Sequence, residues 1–280
     1  MNEIRIQLLL NRIISIFKVH KNEEKVKDFL SDLLLFRFAS LKAERDRTYF
    51  PPDLRWDKLK ESQKQNYPLR ERIYEAMCFM EGEPEYNGLL YPRRVLEEFD
   101  DREISEIFDI LGELSWDREK DIGSELIYAY EFLERYGFSQ SPKQMGEFYT
   151  PRQVGKLIVK LLAPKGGSVY DPCCGSGTML LCAADYMRER GKNFRLYGQE
   201  VVEHAWKTAR MNLILRGMDA DLGQMPADSI GQDIQPDLKA NYVLGNPPFH
   251  WYGGNRKLSE DDRRWRYGIP SEKRGDFAWM

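Results

Sequence analysis

The residues best equipped for chemistry are Asn246-Pro247-Pro248-Phe249, which close a short β-rich run from Tyr242 to Leu244. Consecutive prolines offer no backbone N–H donors, stop a hydrogen-bonded ladder and fix an extended, rigid corner at the end of a strand. Such a corner holds two acceptors, the Asn246 side-chain oxygen and the Pro247 carbonyl, in fixed positions. They suit the two hydrogens of a planar exocyclic amine and draw its nitrogen toward tetrahedral geometry, so that its lone pair can face an electrophilic methyl group. Phe249 adds a ring on which a base can stack. Asn-Pro turns are common in themselves, but paired prolines at the carboxyl end of a core strand are unusual.

A second constellation lies upstream. The run Ser168 to Tyr170 leads into Asp171-Pro172-Cys173-Cys174-Gly175-Ser176-Gly177 and then directly into a helical pattern. Gly175 and Gly177 permit positive φ and close approach of a ligand to the backbone at the carboxyl end of a parallel strand. A dinucleotide fingerprint would need glycine where Leu180 stands, and no Lys-Ser or Lys-Thr pair is present to make a P-loop. Asp171, ahead of the glycines, suits a ligand with a positive ammonium group better than a pyrophosphate, and S-adenosyl-L-methionine is such a ligand. The next β-rich run ends in Gly198-Gln199-Glu200, and Glu200 can accept hydrogen bonds from both hydroxyls of a ribose at a spacing near the roughly 20 residues typical of nucleoside-binding folds. An ordinary tight turn is the competing reading of an isolated Gly-x-Gly. Cys173, Cys174 and Cys182 show no metal-ligand spacing, so they are read as small buried filler and no metal site is expected.

Elements must hold these groups. Apolar residues recur at helical spacing from Ile4 to about Asp46, with a core expected around Phe29, Leu33, Leu34 and Phe38. Further helices are predicted at Trp56–Met80, Val95–Phe99, Ile104–Leu114 and Ile122–Tyr136. After Gly146 the pattern alternates. Helices at Pro151–Leu162, Thr178–Arg190 and Val202–Gly217 interleave with strands at Ser168–Tyr170, Arg195–Gln199 and Tyr242–Leu244, with a weakly marked strand near Ala220. This alternation predicts a parallel α/β sheet, preceded by an all-helical domain. The expected division is 1–140 and 141–280, with the linker in 137–143.

Composition narrows the function classes. The 280 residues are 42% hydrophobic and 12% aromatic, which excludes a disordered or fibrous chain. With 42 Lys plus Arg against 45 Asp plus Glu, the net charge of -3 excludes a protein that coats nucleic acid by charge alone. Residues 1–140 hold 22 basic and 29 acidic side chains, and 141–280 hold 20 and 16, so the second half is the better partner for nucleic acid. Glu3, Arg5, Asn11 and Arg12 interrupt any leader-like apolar run, and a soluble, cytoplasmic protein without membrane contact is expected.

In combination the motifs resemble the modification (methylase) subunit of type I restriction-modification systems, a family of S-adenosylmethionine-dependent adenine-N6 DNA methyltransferases. The resemblance implies a Rossmann-like methyltransferase sheet. Gly146-Glu147-Phe148-Tyr149-Thr150-Pro151 is similar to the segment before the domain's first helix, implying that Phe148, Tyr149, Thr150 and Pro151 lie over the cofactor's methionine end. The turn with Asp171, Cys174, Gly175 and Gly177 resembles the cofactor loop, although Cys173 stands where the family usually has a smaller residue. Glu200 corresponds to the ribose-binding acid, and Asp228, in Pro226-Ala227-Asp228-Ser229, to the residue that contacts the cofactor adenine. Asn246, Pro247, Pro248 and Phe249 correspond to the catalytic motif. Lys25 to Arg45 resembles the family's helical domain and Asp121 to Phe138 its last helix before the methylase domain.

The function implied is site-specific methylation of a flipped adenine, with DNA, a specificity subunit and a nuclease or translocase subunit as partners. The resemblance also implies a longer sheet of which only the first four strands are encoded, so the chain is read as the N-terminal part of a longer subunit whose activity in isolation is left open. A methyltransferase of protein glutamine or RNA amines is the nearest rival, although those directed at protein typically carry Tyr where Phe249 stands. An inactive, truncated assembly module is the other. The basic stretch Arg256 to Arg274 is expected to lie beside DNA, with a solvated loop as the competing reading.

Overall fold

A computed structural model describes residues 2–17, 23–63, 68–92, 96–114, 124–134, 150–248, 262–265, 268–269 and 278–279. The chain divides into two compact units, residues 1–141 with 215–217, and residues 142–214 with 218–280. Gly146, Phe148, Tyr149 and the expected linker lie outside the described residues, as does Phe249.

The first unit is helical: α1 (Asn2–Phe17), α2 (Glu23–Asp46), α3 (Trp56–Gln63), α4 (Leu69–Glu81), α5 (Asp101–Leu111) and α6 (Ser124–Phe132). From Phe29 to Ser40 every residue of α2 is buried, which makes it the central helix rather than an amphipathic one with a wet face. The expected core residues Phe29, Leu33, Leu34 and Phe38 are all among them. Trp56, at the start of α3, stacks on Phe108 of α5 with ring centroids 3.9 Å apart and lies tilted against Phe36 of α2. Its backbone N–H donates to the Ser40 hydroxyl at 2.9 Å, so a polar α2 residue in this core has a partner.

Several boundaries differ from the sequence reading. The single helix expected over Trp56–Met80 is two helices, because Pro68 at the N-cap of α4 has no N–H to donate back into a preceding turn. In the Val95–Phe99 stretch the described residues after Leu96 form a turn and bend. Helix α5 begins at Asp101 rather than Ile104, since Asp100 and Glu103 form a reciprocal capping box, and it ends at Leu111 with Gly112 as its C-cap.

The second unit runs α7 (Arg152–Leu162), β1 (Gly167–Asp171), α8 (Thr178–Arg188), β2 (Phe194–Gly198), α9 (Glu203–Ile214), β3 (Ala220–Asp221) and β4 (Tyr242–Val243). All three strand pairings are parallel and the order is β3-β2-β1-β4. Parallel neighbours require crossovers, and the helices that the sequence alternates with its strands supply them. The chain leaves β1 toward β2 on one side and later places β4 on the other. The order therefore reverses at β1, and the crevice beyond the carboxyl ends of β1 and β4 is the topological switch point at which open α/β sheets bind ligands.

Candidate functional site

The glycine turn begins where β1 ends. Asp171 is 1% exposed, and its Oδ1 accepts the Cys173 N–H at 3.1 Å. Burial pushes its carboxyl up to about 7, partly offset by the donors on Cys173. Its first task is thus to brace the turn. Gly177, with φ at +79°, ends the turn as the N-cap of α8, and a Cβ there would meet the Ala209 Cβ at 3.3 Å, so α9 closes directly onto the backbone. Asn212 of α9 holds the turn from the same side, its Nδ2 donating to the Ser176 carbonyl at 3.0 Å. Gly175 differs. Its φ is +54°, yet a Cβ built on it would meet nothing within 4 Å, which leaves a bare stretch of backbone open to an approaching group. Cys174 contributes backbone only, since its thiol is buried while its N–H donates to the Gln199 carbonyl at 2.9 Å.

Glu200 lies across from this turn. Its two carboxylate oxygens accept the Gly175 N–H at 2.9 Å and the Val202 N–H at 2.8 Å, fixing the acid's position while leaving lone pairs for further donors. Its carbonyl accepts the Ala227 N–H at 2.8 Å, which ties the segment bearing Asp228 to the end of β2. Asp228 is buried, and its Oδ1 receives the Ile230 N–H at 3.1 Å. Asp171, Gly175, Glu200 and Asp228 are therefore brought together at the carboxyl ends of β1 and β2.

The Asn-Pro-Pro corner joins them through a residue that the sequence reading missed. Gly245 lies so close to the glycine turn that a Cβ on it would sit 3.1 Å from Asp171 Oδ1 and 3.2 Å from Cys173 Sγ. A glycine directly before Asn-Pro-Pro is the only signal the sequence offers for this approach. Gly245→Val is expected to overpack the β1–β4 junction, costing about 1–3 kcal/mol of stability. Urea unfolding checks this, and an unchanged midpoint would show that the two loops do not touch.

Asn246 is exposed, whereas Pro247 and Pro248 are half-buried. The Asn246 Nδ2 donates to the Thr150 hydroxyl at 3.3 Å, which turns its Oδ1, the acceptor of interest, away from that bond. The expectation for Thr150 is a cofactor contact, and what the structure gives its hydroxyl is the bond from Asn246, which orients the corner. Pro151 is the N-cap of α7, and its carbonyl accepts the N–H groups of Val154 and Gly155. Cys182 is packing: it is buried against α7, where a Cβ on Gly155 would meet its sulphur at 3.0 Å. Among the described residues, no group of three or more His, Cys, Asp or Glu side chains could hold a metal ion. No described helix is long and apolar enough to cross a membrane.

The switch point, with an acid-braced glycine turn on one strand and an exposed acceptor corner on its neighbour, places the unit in the class of parallel α/β folds with a crevice at the carboxyl ends of the strands. Within that class the chain belongs to the N-6 DNA methylase family, which residues 120–280 match. Two curated relatives are similar to it. One is the type I restriction enzyme HindI methylase subunit of Haemophilus influenzae, 37% identical over 55% of this chain and 35% of that protein. The other is the type I restriction enzyme MjaIX methylase subunit of Methanocaldococcus jannaschii, 30% identical over 83% of this chain and 43% of that protein. The chain thus spans less than half the length of these two relatives. The crystal structure of the type I restriction-modification system methyltransferase subunit from Streptococcus thermophilus shares the fold, with a TM-score of 0.77 and 21% identity over 99% of this chain and 70% of that one.

Proposed function

We propose that the chain carries the cofactor pocket and catalytic corner of a type I modification subunit, which methylates the N6 amine of adenine in DNA. The observation that carries this reading is the close approach of Gly245 to Asp171 and Cys173, which sets the acceptor corner beside the turn that bears the open Gly175 backbone. The residues fit S-adenosyl-L-methionine. Gly175 leaves room for close approach, Glu200 is a pre-positioned acceptor for ribose hydroxyls, and Asp228 offers a carboxylate to an adenine amine. Thr150 and Pro151, with Phe148 and Tyr149, would cover the methionine end, and Asp171 would complement its ammonium group. When bound, that cofactor supplies an activated methyl group.

The chain's own part is positioning. Asn246 Oδ1 and the Pro247 carbonyl accept the two hydrogens of the target amine, and Phe249 stacks on the base once it has been turned out of the duplex. Neither contact removes a proton beforehand. The amine becomes acidic only as its new bond forms, and two fixed acceptors then stabilise the growing positive charge. The helical unit serves as a docking platform toward a specificity subunit and a nuclease or translocase subunit, and the assembly works in the cytoplasm.

Incubating the complete, assembled subunit with tritiated S-adenosylmethionine and either duplex DNA or glutamine-bearing peptides tests the reading. Label is expected in N6-methyladenine. Label in peptide alone, or in cytosine, would replace adenine as the substrate.

A further inference from the structure

Arg264 belongs to the basic stretch that the sequence assigns to DNA, but its guanidinium is already committed inside the second unit. Nη1 donates to the Ser229 carbonyl, and Nη2 donates to the Ile230 carbonyl at 2.7 Å. The remaining face pairs with Asp262, Nη2 to Oδ2 at 2.6 Å and Nε to both oxygens at 3.0 Å, so its charge is compensated locally. A guanidinium spanning two successive carbonyls fixes the peptide plane between them as a single ammonium cannot. Those carbonyls directly follow Asp228.

The segment is held on its other sides as well. The Ser229 hydroxyl donates to the Pro172 carbonyl in the glycine turn, and Ala227 N–H donates to the Glu200 carbonyl. Buried Gln199 extends the same scaffold. Its Oε1 accepts the Tyr170 hydroxyl at 3.0 Å and its Nε2 donates to the Gln232 carbonyl at 3.0 Å. Arg264 is the one member of this set that comes from beyond the Asn-Pro-Pro corner.

We infer that Arg264 is a positioning residue for the cofactor's adenine end, a latch by which the chain downstream of the catalytic corner holds the Asp228 loop in its binding geometry. The inference rests on the proposed assignment of Asp228 to the adenine amine. It makes cofactor selectivity depend on a residue outside the cofactor's own contacts, and it removes Arg264 from the phosphate-contacting set.

Two probes measured by titration against the full 280-residue chain test it: S-adenosylhomocysteine, and S-inosylhomocysteine, which lacks the amine that Asp228 would accept. The unsubstituted chain should prefer the adenosyl compound. Arg264→Ala should bind that compound roughly tenfold or more weakly, as expected for losing a charged hydrogen bond, and should lose most of the preference. Arg264→Lys, which keeps the charge but cannot bridge both carbonyls, should fall between them, and Arg263→Ala should match the unsubstituted chain. Should Arg264→Ala not fold, Arg264→Lys decides. Unchanged affinity, or a loss that leaves the adenosyl preference intact, overturns the latch alone. Failure of the unsubstituted chain to bind either probe overturns the proposed cofactor site and the latch with it.

Discussion

Asn246→Ala in the full-length, assembled subunit is expected to lower methyl transfer to adenine by about 10²- to 10³-fold or more, the effect of deleting one pre-positioned polar partner of a transition state. Cofactor affinity should change little. Asn246 is exposed, and the approach to Asp171 is made by Gly245, so that approach should survive the substitution. Asn246→Asp retains an acceptor oxygen but loses the Nδ2 donor to Thr150, and should retain more activity than alanine. A single-turnover assay with tritiated S-adenosylmethionine separates transfer from binding. Near-normal transfer by the alanine variant would remove Asn246 from the catalytic role.

Gly175→Val should act on the opposite quantity, weakening S-adenosylmethionine binding beyond ready detection while leaving the fold largely intact. A left-handed φ of +54° costs an L-residue about 1–2 kcal/mol, and more when it is β-branched. The structure sharpens this expectation. Beyond its chain neighbours, nothing lies within 4 Å of the position a Cβ would take, so the added side chain enters open space that a ligand would need to reach the backbone. Gly177 makes the contrast, since its Cβ would strike Ala209 and a substitution there threatens packing as well as binding. Cofactor titration together with a thermal melt distinguishes the two positions. A Gly175→Val protein that melts normally and binds normally would move the cofactor elsewhere.

The assignment of the basic stretch to DNA is narrowed by the structure. Composition counts Arg263, Arg264 and Arg266 as equivalent charges, yet the Arg264 guanidinium, on a residue that is itself exposed, is paired with Asp262 and donates to two carbonyls. A formal charge is visible in sequence, whereas its compensation is a property of what folds against it. The cysteines make the same point with the opposite outcome. Burial pushes the Cys173 and Cys174 thiols up, away from the reactive thiolate, in agreement with their reading as packing residues.

What the sequence determined by itself was the order and type of most strands, turns and helices. The run Ser168–Tyr170 followed by Asp-x-x-x-Gly-x-Gly specifies strand, turn and helix, because glycine adopts the positive φ values found at 175 and 177 without the Cβ penalty of other residues. Alternating strand and helix patterns specify a parallel sheet, and paired prolines set a limit that β4, ending at Val243, does not reach. Helix ends were less legible. Pro68 and the Asp100 capping box act through backbone hydrogen bonds that apolar periodicity does not record. Tertiary structure alone decided the contacts between groups distant along the chain: Gly245 against Asp171, Asn246 with Thr150, Ser229 with Pro172, and Arg264 with the Asp228 loop. Their separations in sequence carry no periodicity. They are set by β4 pairing with β1 on the side away from β2, and the pairing Val169 with Tyr242 and Tyr170 with Val243 fixes which residues then meet at the crevice.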